Sequence, residues 1–202
     1  KPDLTNKDVI SALKFIEVMY KEKLISPGSF AKKEQEKLEE FVNGRVGMTV
    51  SSLAHINMIR DRNPSLNFTI TDFPAADGYK GRRGLPYAAW GIGISQHSNH
   101  KAEAWKLVSY LMSPEVNSKL VSIANAFPGN VHAKPDFVTS DKLFGKGFKI
   151  FQSGYLANEF TGLPVAEELM RMFNEEIQLM LEGKQTAEQA AAKAQAKWIA
   201  EF

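Results

Sequence analysis

Two pairs of glutamates are the residues of this sequence whose type and spacing most directly suggest a reaction. Glu167 and Glu168 stand at the start of a predicted helix, and Glu175 and Glu176 follow on the same helix. Two carboxyl groups about 5–10 Å apart across a sugar can hydrolyse a glycosidic bond. A negative charge in the first turn of a helix is also explained by the helix dipole. Dipole complementation with hydrogen bonding to a ligand is the favoured interpretation of Glu168, and a hydrolase carboxylate is the alternative.

Two other motifs suggest chemistry that their context does not support. His97 and His100 have the spacing of two metal ligands on a helix, but they lie at a predicted strand-to-helix junction and lack an evident third ligand. The glycine-rich loop 78–84 could hold a phosphate, yet it lacks P-loop spacing and no helix follows it. We therefore predict a polar turn and an exposed loop, with Arg82 or Arg83 facing a ligand or a transporter as the alternative. No metal and no cofactor is predicted.

The composition excludes several classes of protein. The 25 Lys and Arg residues are interspersed with 23 Asp and Glu, which gives a net charge of +2 and no basic field for nucleic acid. The absence of cysteine excludes disulfides, cysteine-ligated zinc and a thiol nucleophile. The apolar runs are far shorter than the roughly 20 residues of a membrane span.

The elements that must position any site are mostly helical. Apolar residues with the period of a helix, together with capping and terminating signals, predict eight helices. They are predicted at residues 5–23, 32–43, 52–62, 100–112, 114–124, 143–155, 164–182 and 186–202. Short strands are predicted at 46–50, 67–73 and 87–95. A sheet that carries so many helices usually has more strands, so the sequence predicts strands that lie outside this chain.

A family resemblance depends on the order of these elements. The segments that carry it are Phe41-Val-Asn-Gly44, Gly47-Met-Thr-Val50, Phe73-Pro74, Trp90-Gly-Ile-Gly-Ile-Ser95, Ala104-Trp105, Ser113-Pro114-Glu115, Phe127-Pro128 and Glu182-Gly-Lys-Gln-Thr186. In this order the chain resembles the C-terminal half of an extracellular solute-binding protein of family 1. That family contains the maltose-binding-protein-like capture subunits of ABC importers.

The resemblance implies an α/β fold of the periplasmic-binding-protein type (type II), with two lobes that close on a ligand by hinge motion. Residues 1–73 and 116–202 would form the C-terminal lobe. Residues 74–115 would belong to the N-terminal lobe and the hinge crossings, and the rest of that lobe would lie elsewhere in the same protein.

The resemblance also implies a set of ligand-binding residues and no catalytic ones. They are Ser51, Ser52, His55, Tyr87, Trp90, Asn130, Glu168 and Arg171. Tyr87 or Trp90 would stack on a sugar ring, and the others would form hydrogen bonds. Sugar-binding members of the family often carry an aromatic residue in the segment that matches 52–56. Its absence here counts against a maltose-like sugar but not against carbohydrate as a class.

The function that the resemblance implies is solute capture without catalysis. The protein would bind a carbohydrate, an oligosaccharide or a sugar derivative, between its lobes and deliver it to permease subunits in the membrane. Its location would be extracytoplasmic, in the periplasm or at the cell surface as a lipoprotein. The alternative is a fragment of a carbohydrate-active hydrolase that pairs Glu168 with a second carboxylate.

Overall fold

The computed structural model describes residues 3–86, 91–157 and 163–201, which form nine helices and two short strands. The helices are α1 Lys7–Lys21, α2 Glu34–Val42, α3 His55–Arg62, α4 Lys101–Leu111, α5 Pro114–Ala124, α6 Phe137–Ser140, α7 Lys142–Ser153, α8 Ala166–Leu181 and α9 Ala187–Ala200. The strands are β1 Gly84–Pro86 and β2 Tyr155–Ala157. They pair in parallel, with Gly84 opposite Tyr155 and Leu85 opposite Leu156.

The chain forms two compact units. Unit 1 consists of Lys1–Lys33 and Glu159–Phe202, and unit 2 is the continuous segment Glu34–Asn158. This division follows packing within the chain, whereas the predicted boundaries after residues 73 and 115 concern the lobes of a larger protein. The lobe assignment therefore stays a prediction.

Unit 1 is built from α1, α8 and α9. Leu13 of α1 and Met180 of α8 meet a row of alanines on α9, whose small side chains let the helices approach closely. Thr186 begins α9 with a capping box completed by Gln189, as the sequence predicts. A second cluster contains Trp198, which is 2% exposed and donates its indole N–H to the backbone oxygen of Leu169 at 2.9 Å.

Unit 2 packs α3, α5, α6 and α7 around a core of aliphatic and aromatic side chains. The buried members of this core are Leu53, Ile56, Val121, Phe137 and Phe144. Helix α7 contains Gly145 next to α6, where a Cβ atom would lie 2.6 Å from the backbone oxygen of Val138. A smaller cluster joins α2 to α3 through Leu38, Val42 and Ile59.

The predicted helices are confirmed, with ends that shift by a few residues. The predicted strands 46–50 and 67–73 are wrong, because neither segment pairs with another among the described residues. For the predicted strand 87–95, residues 91–95 form no strand and residues 87–90 lie outside the described part of the chain. A strand needs a neighbour for its backbone N–H and C=O groups. The side chains of Met48 and Val50, predicted to be in a strand, are largely exposed.

Candidate ligand-binding site

Three of the predicted ligand-binding residues form one hydrogen-bonded cluster. Ser51 and Ser52 are exposed just before α3, and His55 is the first residue of that helix. The Nδ1 atom of His55 lies 2.6 Å from Ser51 Oγ and 3.2 Å from Ser52 Oγ, and it accepts the backbone N–H of Ser52 at 3.3 Å. Since an N–H group can only donate, Nδ1 is an acceptor and the imidazole proton is on Nε2. Both hydroxyls then donate to the ring.

The orientation of these hydroxyls determines whether they donate hydrogen bonds to a ligand or accept them from it. A serine hydroxyl that donates its proton to Nδ1 keeps its oxygen lone pairs for a donor from outside. Because Ser51 and Ser52 are exposed while His55 is only 7% exposed, the ring supports the hydroxyls from behind. The cluster is therefore suited to accept hydrogen bonds from the hydroxyl or amine groups of a solute.

Glu34 is a member of this cluster that sequence reasoning missed. Its Oε1 atom lies 3.6 Å from His55 Nε2, on the side of the ring that carries the proton. Glu34 begins α2, and no local motif connects that position with α3. The order serine, histidine, carboxylate occurs in nucleophilic catalysis, but there the third group orients the base within hydrogen-bonding distance. Here the carboxylate is farther away and exposed, and two serines share one nitrogen.

Asn130 also lies in unit 2, and most of its hydrogen-bonding groups bind other residues of the protein. Its Nδ2 donates to the backbone oxygen of Met112 at 2.7 Å, and its Oδ1 accepts the N–H of His132 at 2.8 Å. Its own N–H donates to Asn117 Oδ1 at 3.1 Å. Among the described residues, one amide hydrogen of Asn130 has no acceptor. Phe127, from the same turn, packs against the core cluster that contains Leu53, so the two predicted segments of unit 2 share one core.

Glu168 and Arg171 lie on α8 in unit 1 and bind each other. Arg171 Nε donates to Glu168 Oε2 at 3.0 Å, a second contact joins Nη2 to Oε1, and Arg171 also pairs with Glu175. The hydrogen bond from Arg171 lowers the pKa of Glu168 below its ordinary value, and the same contact raises the pKa of Arg171. A ligand at this position would meet a paired carboxylate and guanidinium.

Tyr87 and Trp90, the predicted stacking residues, lie outside the described residues. The structure thus brings Ser51, Ser52 and His55 together and places Asn130 in the same unit. The role of every one of these residues in ligand binding stays a prediction.

The described residues contain neither a metal-binding cluster nor a helix that could span a membrane. Across 3–86, 91–157 and 163–201, no three His, Cys, Asp or Glu side chains come close enough to share a metal ion. His97 and His100 are both exposed. Within the same ranges, none of the helices combines the length and the apolar character that crossing a membrane requires.

Comparison with known sequences identifies the class of protein. Residues 2–118, more than half of the chain, match the profile of the bacterial extracellular solute-binding proteins. The chain belongs to this family.

Curated relatives of the chain are also named as binding proteins. Proteins of Brucella abortus and Brucella suis, provisionally named binding proteins, are 28% identical to the chain over 141 residues. The matched region is 68% of this chain and 33% of each relative. The chain therefore spans about one third of the length of these relatives.

Solved structures confirm the predicted fold class. A protein of Synechococcus sp. MITs9220, provisionally named an oligosaccharide periplasmic-binding protein, superposes with a TM-score of 0.76 at 14% identity, over 96% of this chain and 52% of that one. CpMnBP1, solved with mannotriose bound, superposes with a TM-score of 0.70 at 22% identity, over 93% of this chain and 49% of that one. The fold is thus that of periplasmic binding proteins, and the chain spans about half of each neighbour.

Proposed function

We propose that the protein containing this chain captures a carbohydrate, an oligosaccharide or sugar derivative, and delivers it to the membrane permease of an ABC importer. The observation that carries the proposal is the family match over residues 2–118. Carbohydrate as the class of ligand is supported by the mannotriose in one structural neighbour and the name of the other. The protein would act outside the cytoplasm, in the periplasm or as a lipoprotein at the cell surface.

In this proposal, Ser51 and Ser52 accept hydrogen bonds from sugar hydroxyls. Their protons are directed to His55 Nδ1, which leaves acceptor lone pairs toward solvent. His55 acts through the serines as a positioning residue. Tyr87 or Trp90 would stack on a sugar ring, and Asn130, Glu168 and Arg171 would add polar contacts.

Glu168 does not suit the general-acid role that the hydrolase alternative requires of one of its two carboxyl groups. A glycosidase acid needs a raised pKa so that it holds a proton near neutral pH. The hydrogen bond from Arg171 shifts the pKa of Glu168 the opposite way. The family match over residues 2–118 is the reason why we retain solute binding as the proposed function.

Calorimetric titration of the intact protein with neutral oligosaccharides, mannotriose among them, tests this function. We expect saturable binding of at least one sugar. The double variant Ser51→Ala, Ser52→Ala should weaken it by about 3–10-fold, since one net hydrogen bond contributes about 0.5–1.5 kcal/mol. Ser140→Ala, at an exposed serine of the same unit, is the matched control and should change the affinity less than about twofold.

Two outcomes contradict parts of the proposal. Saturable binding of a peptide or an amino acid, with no heat from any sugar, removes carbohydrate as the ligand class. Unchanged sugar affinity in the double serine variant removes the Ser51–Ser52 cluster from the site.

A further inference from the structure

His55 is a titratable group directly behind the two serines of the candidate site. Its ring is 7% exposed, and its Nδ1 atom receives the backbone N–H of Ser52 at 3.3 Å. The hydroxyl oxygens of Ser51 and Ser52 lie 2.6 and 3.2 Å from the same nitrogen. Histidine is the side chain whose charge ordinarily changes between about pH 5 and pH 8. The protonation state of this ring therefore determines how the two serines are held.

Protonation of His55 cannot leave the cluster unchanged. In the neutral ring Nδ1 is an acceptor, and it accepts all three donors of the two serines. In the charged ring both nitrogens carry protons, so Nδ1 becomes a donor. The hydroxyl of Ser51 or Ser52 can rotate to accept this proton. The backbone N–H of Ser52 cannot rotate, and it would face a second N–H group across the same 3.3 Å.

The change at Nδ1 also reverses the hydrogen bonds that the serines can form with a ligand. With the neutral ring, each hydroxyl directs its proton to Nδ1 and keeps its lone pairs for a ligand. With the charged ring, a hydroxyl that accepts the Nδ1 proton turns its own proton outward. Ser52 also loses the hydrogen bond that holds its backbone beside α3. The arrangement that accepts hydrogen bonds from a sugar thus requires the neutral ring.

Glu34 is the carboxylate that approaches the other nitrogen of the ring. Its Oε1 atom lies 3.6 Å from His55 Nε2, and its side chain is 69% exposed, so it lies between the ring and solvent. A negative charge at this distance favours the charged form of a histidine. Lys33 and Lys37, the cations nearest to Glu34 in the sequence, are exposed.

The other elements around α3 bring their charges to different residues. Among the described residues, Asp141 at the start of α7 pairs with Arg60, and Glu39 of α2 pairs with Arg62. The residues that flank His55 on α3 and before it contact α5, α6 and α7 through apolar side chains. Glu34 is therefore the carboxylate that acts on the charge of this ring.

We propose that His55 makes sugar binding dependent on pH, because only its neutral ring sets Ser51 and Ser52 to bind the sugar. Protonation of the ring at acid pH then weakens the binding. The inference rests on the proposed function and assigns a means of regulation to the same site. Glu34 is a positioning residue that favours the proton on Nε2 and stabilises the charged ring. By linkage, bound sugar in turn favours the neutral ring.

Titration calorimetry of the intact protein with mannotriose and maltotriose between about pH 8 and pH 5 tests the inference. We expect the affinity for a sugar that binds to fall by about 3–10-fold over this range, to the level of the double variant Ser51→Ala, Ser52→Ala. The affinity of the double variant itself should change less than about twofold. Circular dichroism at each pH is the control for folding.

His55→Asn places an amide oxygen close to the position of Nδ1, where it is an acceptor that takes up no proton. This variant should bind the sugar within about threefold of the wild type at the upper pH and lose the pH dependence. His97→Asn, at an exposed histidine, is the matched control and should retain the pH dependence. Glu34→Gln should move the loss of affinity to lower pH, because it removes the charge that stabilises the protonated ring.

Nitrogen-15 NMR of the histidine rings gives a readout that needs no variant. Nδ1 of His55 should carry no proton at the upper pH and gain one on acidification. Saturating sugar should shift this change to lower pH. Of the four histidines of the chain, only His55 should respond to the sugar in this way.

Several results overturn the inference. Equal sugar affinity at both ends of the pH range does so and leaves the proposed function intact. A pH dependence that persists in His55→Asn or in the double serine variant does so as well, because another group then titrates. If His55→Asn does not fold, a proton on Nδ1 at the upper pH, or a ring that the sugar leaves unaffected, overturns it. If no neutral oligosaccharide binds at any pH, the proposed function fails with it.

Discussion

At the scale of single residues, His55 receives three donors at one nitrogen, the hydroxyls of Ser51 and Ser52 and the N–H of Ser52. We predict that His55→Ala lowers the free energy of unfolding by about 2–4 kcal/mol, because it leaves a cavity and removes the acceptor for these donors. Urea denaturation measures the change. His97→Ala, at an exposed histidine, is the control and should change stability by less than about 0.5 kcal/mol. Equal effects of the two variants contradict the prediction.

Glu176 is a buried carboxylate with several partners. It is 3% exposed, pairs with Lys197 at 2.8 Å and accepts a hydrogen bond from Gln185 at 2.7 Å. Lys193 in turn donates to Gln185 Oε1 at 2.6 Å. Burial is the largest single effect on the pKa of Glu176 and raises it. Together, Lys197, Gln185 and the charge of Lys193 outweigh burial and lower the pKa below the ordinary glutamate value of 4.5.

The lowered pKa of Glu176 predicts how the stability of the protein changes at acid pH. A group whose pKa is lower in the folded than in the unfolded protein stabilises the fold above its unfolded pKa, and the contribution is lost as the pH falls through its folded pKa. Glu176→Gln should lower the free energy of unfolding by about 1–3 kcal/mol near neutral pH. The difference from the wild type should shrink below pH 4.5. Urea denaturation across this pH range measures it, and a difference that does not change with pH contradicts the role of the charge.

At the scale of elements, Asp141 begins α7 and joins it to α3. Its Oδ1 accepts the N–H groups of Leu143 and Phe144, and the carboxylate accepts two hydrogen bonds from Arg60 at 2.6 and 3.2 Å. The hydrogen bond from Arg60 is the main reason why the pKa of Asp141 lies below its ordinary value. This one side chain is both a helix cap and a link between distant parts of the sequence.

We predict that Asp141→Ala lowers the free energy of unfolding by about 1.5–2 kcal/mol. The lost cap accounts for about 1 kcal/mol and the partly exposed ion pair for the remainder. Arg60→Ala should have the smaller effect, because it removes the pair and leaves the cap. Thermal denaturation of both variants measures the difference. Asp61→Ala, at an exposed position of α3, is the control, and an effect of Asp61→Ala as large as that of Asp141→Ala contradicts the prediction.

The helices could be predicted from the sequence because their signals are local. The capping box at Thr186 and the apolar period of α8 depend on neighbours within a few residues. The strands could not be predicted, since pairing depends on residues far away in the sequence. Gly84 and Tyr155 pair across such a separation. Met48 and Val50 have the composition of a strand, but their segment has no neighbouring strand in the described chain.

The same difference between local and distant interactions applies to the candidate site. The Ser51–His55 cluster could be predicted because its members lie within one turn of each other. Glu34 beside His55 could not, because this contact results from packing between distant segments. The sequence favoured an exposed loop and, as the alternative, did not distinguish Arg82 from Arg83 as the residue that faces a ligand or a transporter, whereas their contacts differ.

At the scale of the whole molecule, the chain has separate cores in its two units. Met180 is fully buried in unit 1, and Phe144 is buried in unit 2. We predict that Met180→Ala and Phe144→Ala each destabilise the protein by about 2–5 kcal/mol. The loss of hydrogen-exchange protection should concentrate in the unit that carries the substitution. Hydrogen exchange with mass spectrometry measures this, and uniform loss across both units in both variants contradicts it.

The Trp198 indole is buried in unit 1 and donates its N–H to the backbone oxygen of Leu169. This burial determines its fluorescence. An indole kept from water emits at shorter wavelength than a wet one, and a small aqueous quencher reaches it poorly. Trp105, on α4 in unit 2, is 63% exposed and should be quenched readily. In variants that keep only Trp105 or only Trp198 of the three tryptophans, fluorescence with and without acrylamide thus reports on the two units separately, with no added label. Because the chain has three tryptophans, replacing both Trp90 and Trp105 by Phe leaves only the emission of Trp198, whose red shift on denaturation follows the opening of the core around α8 and α9.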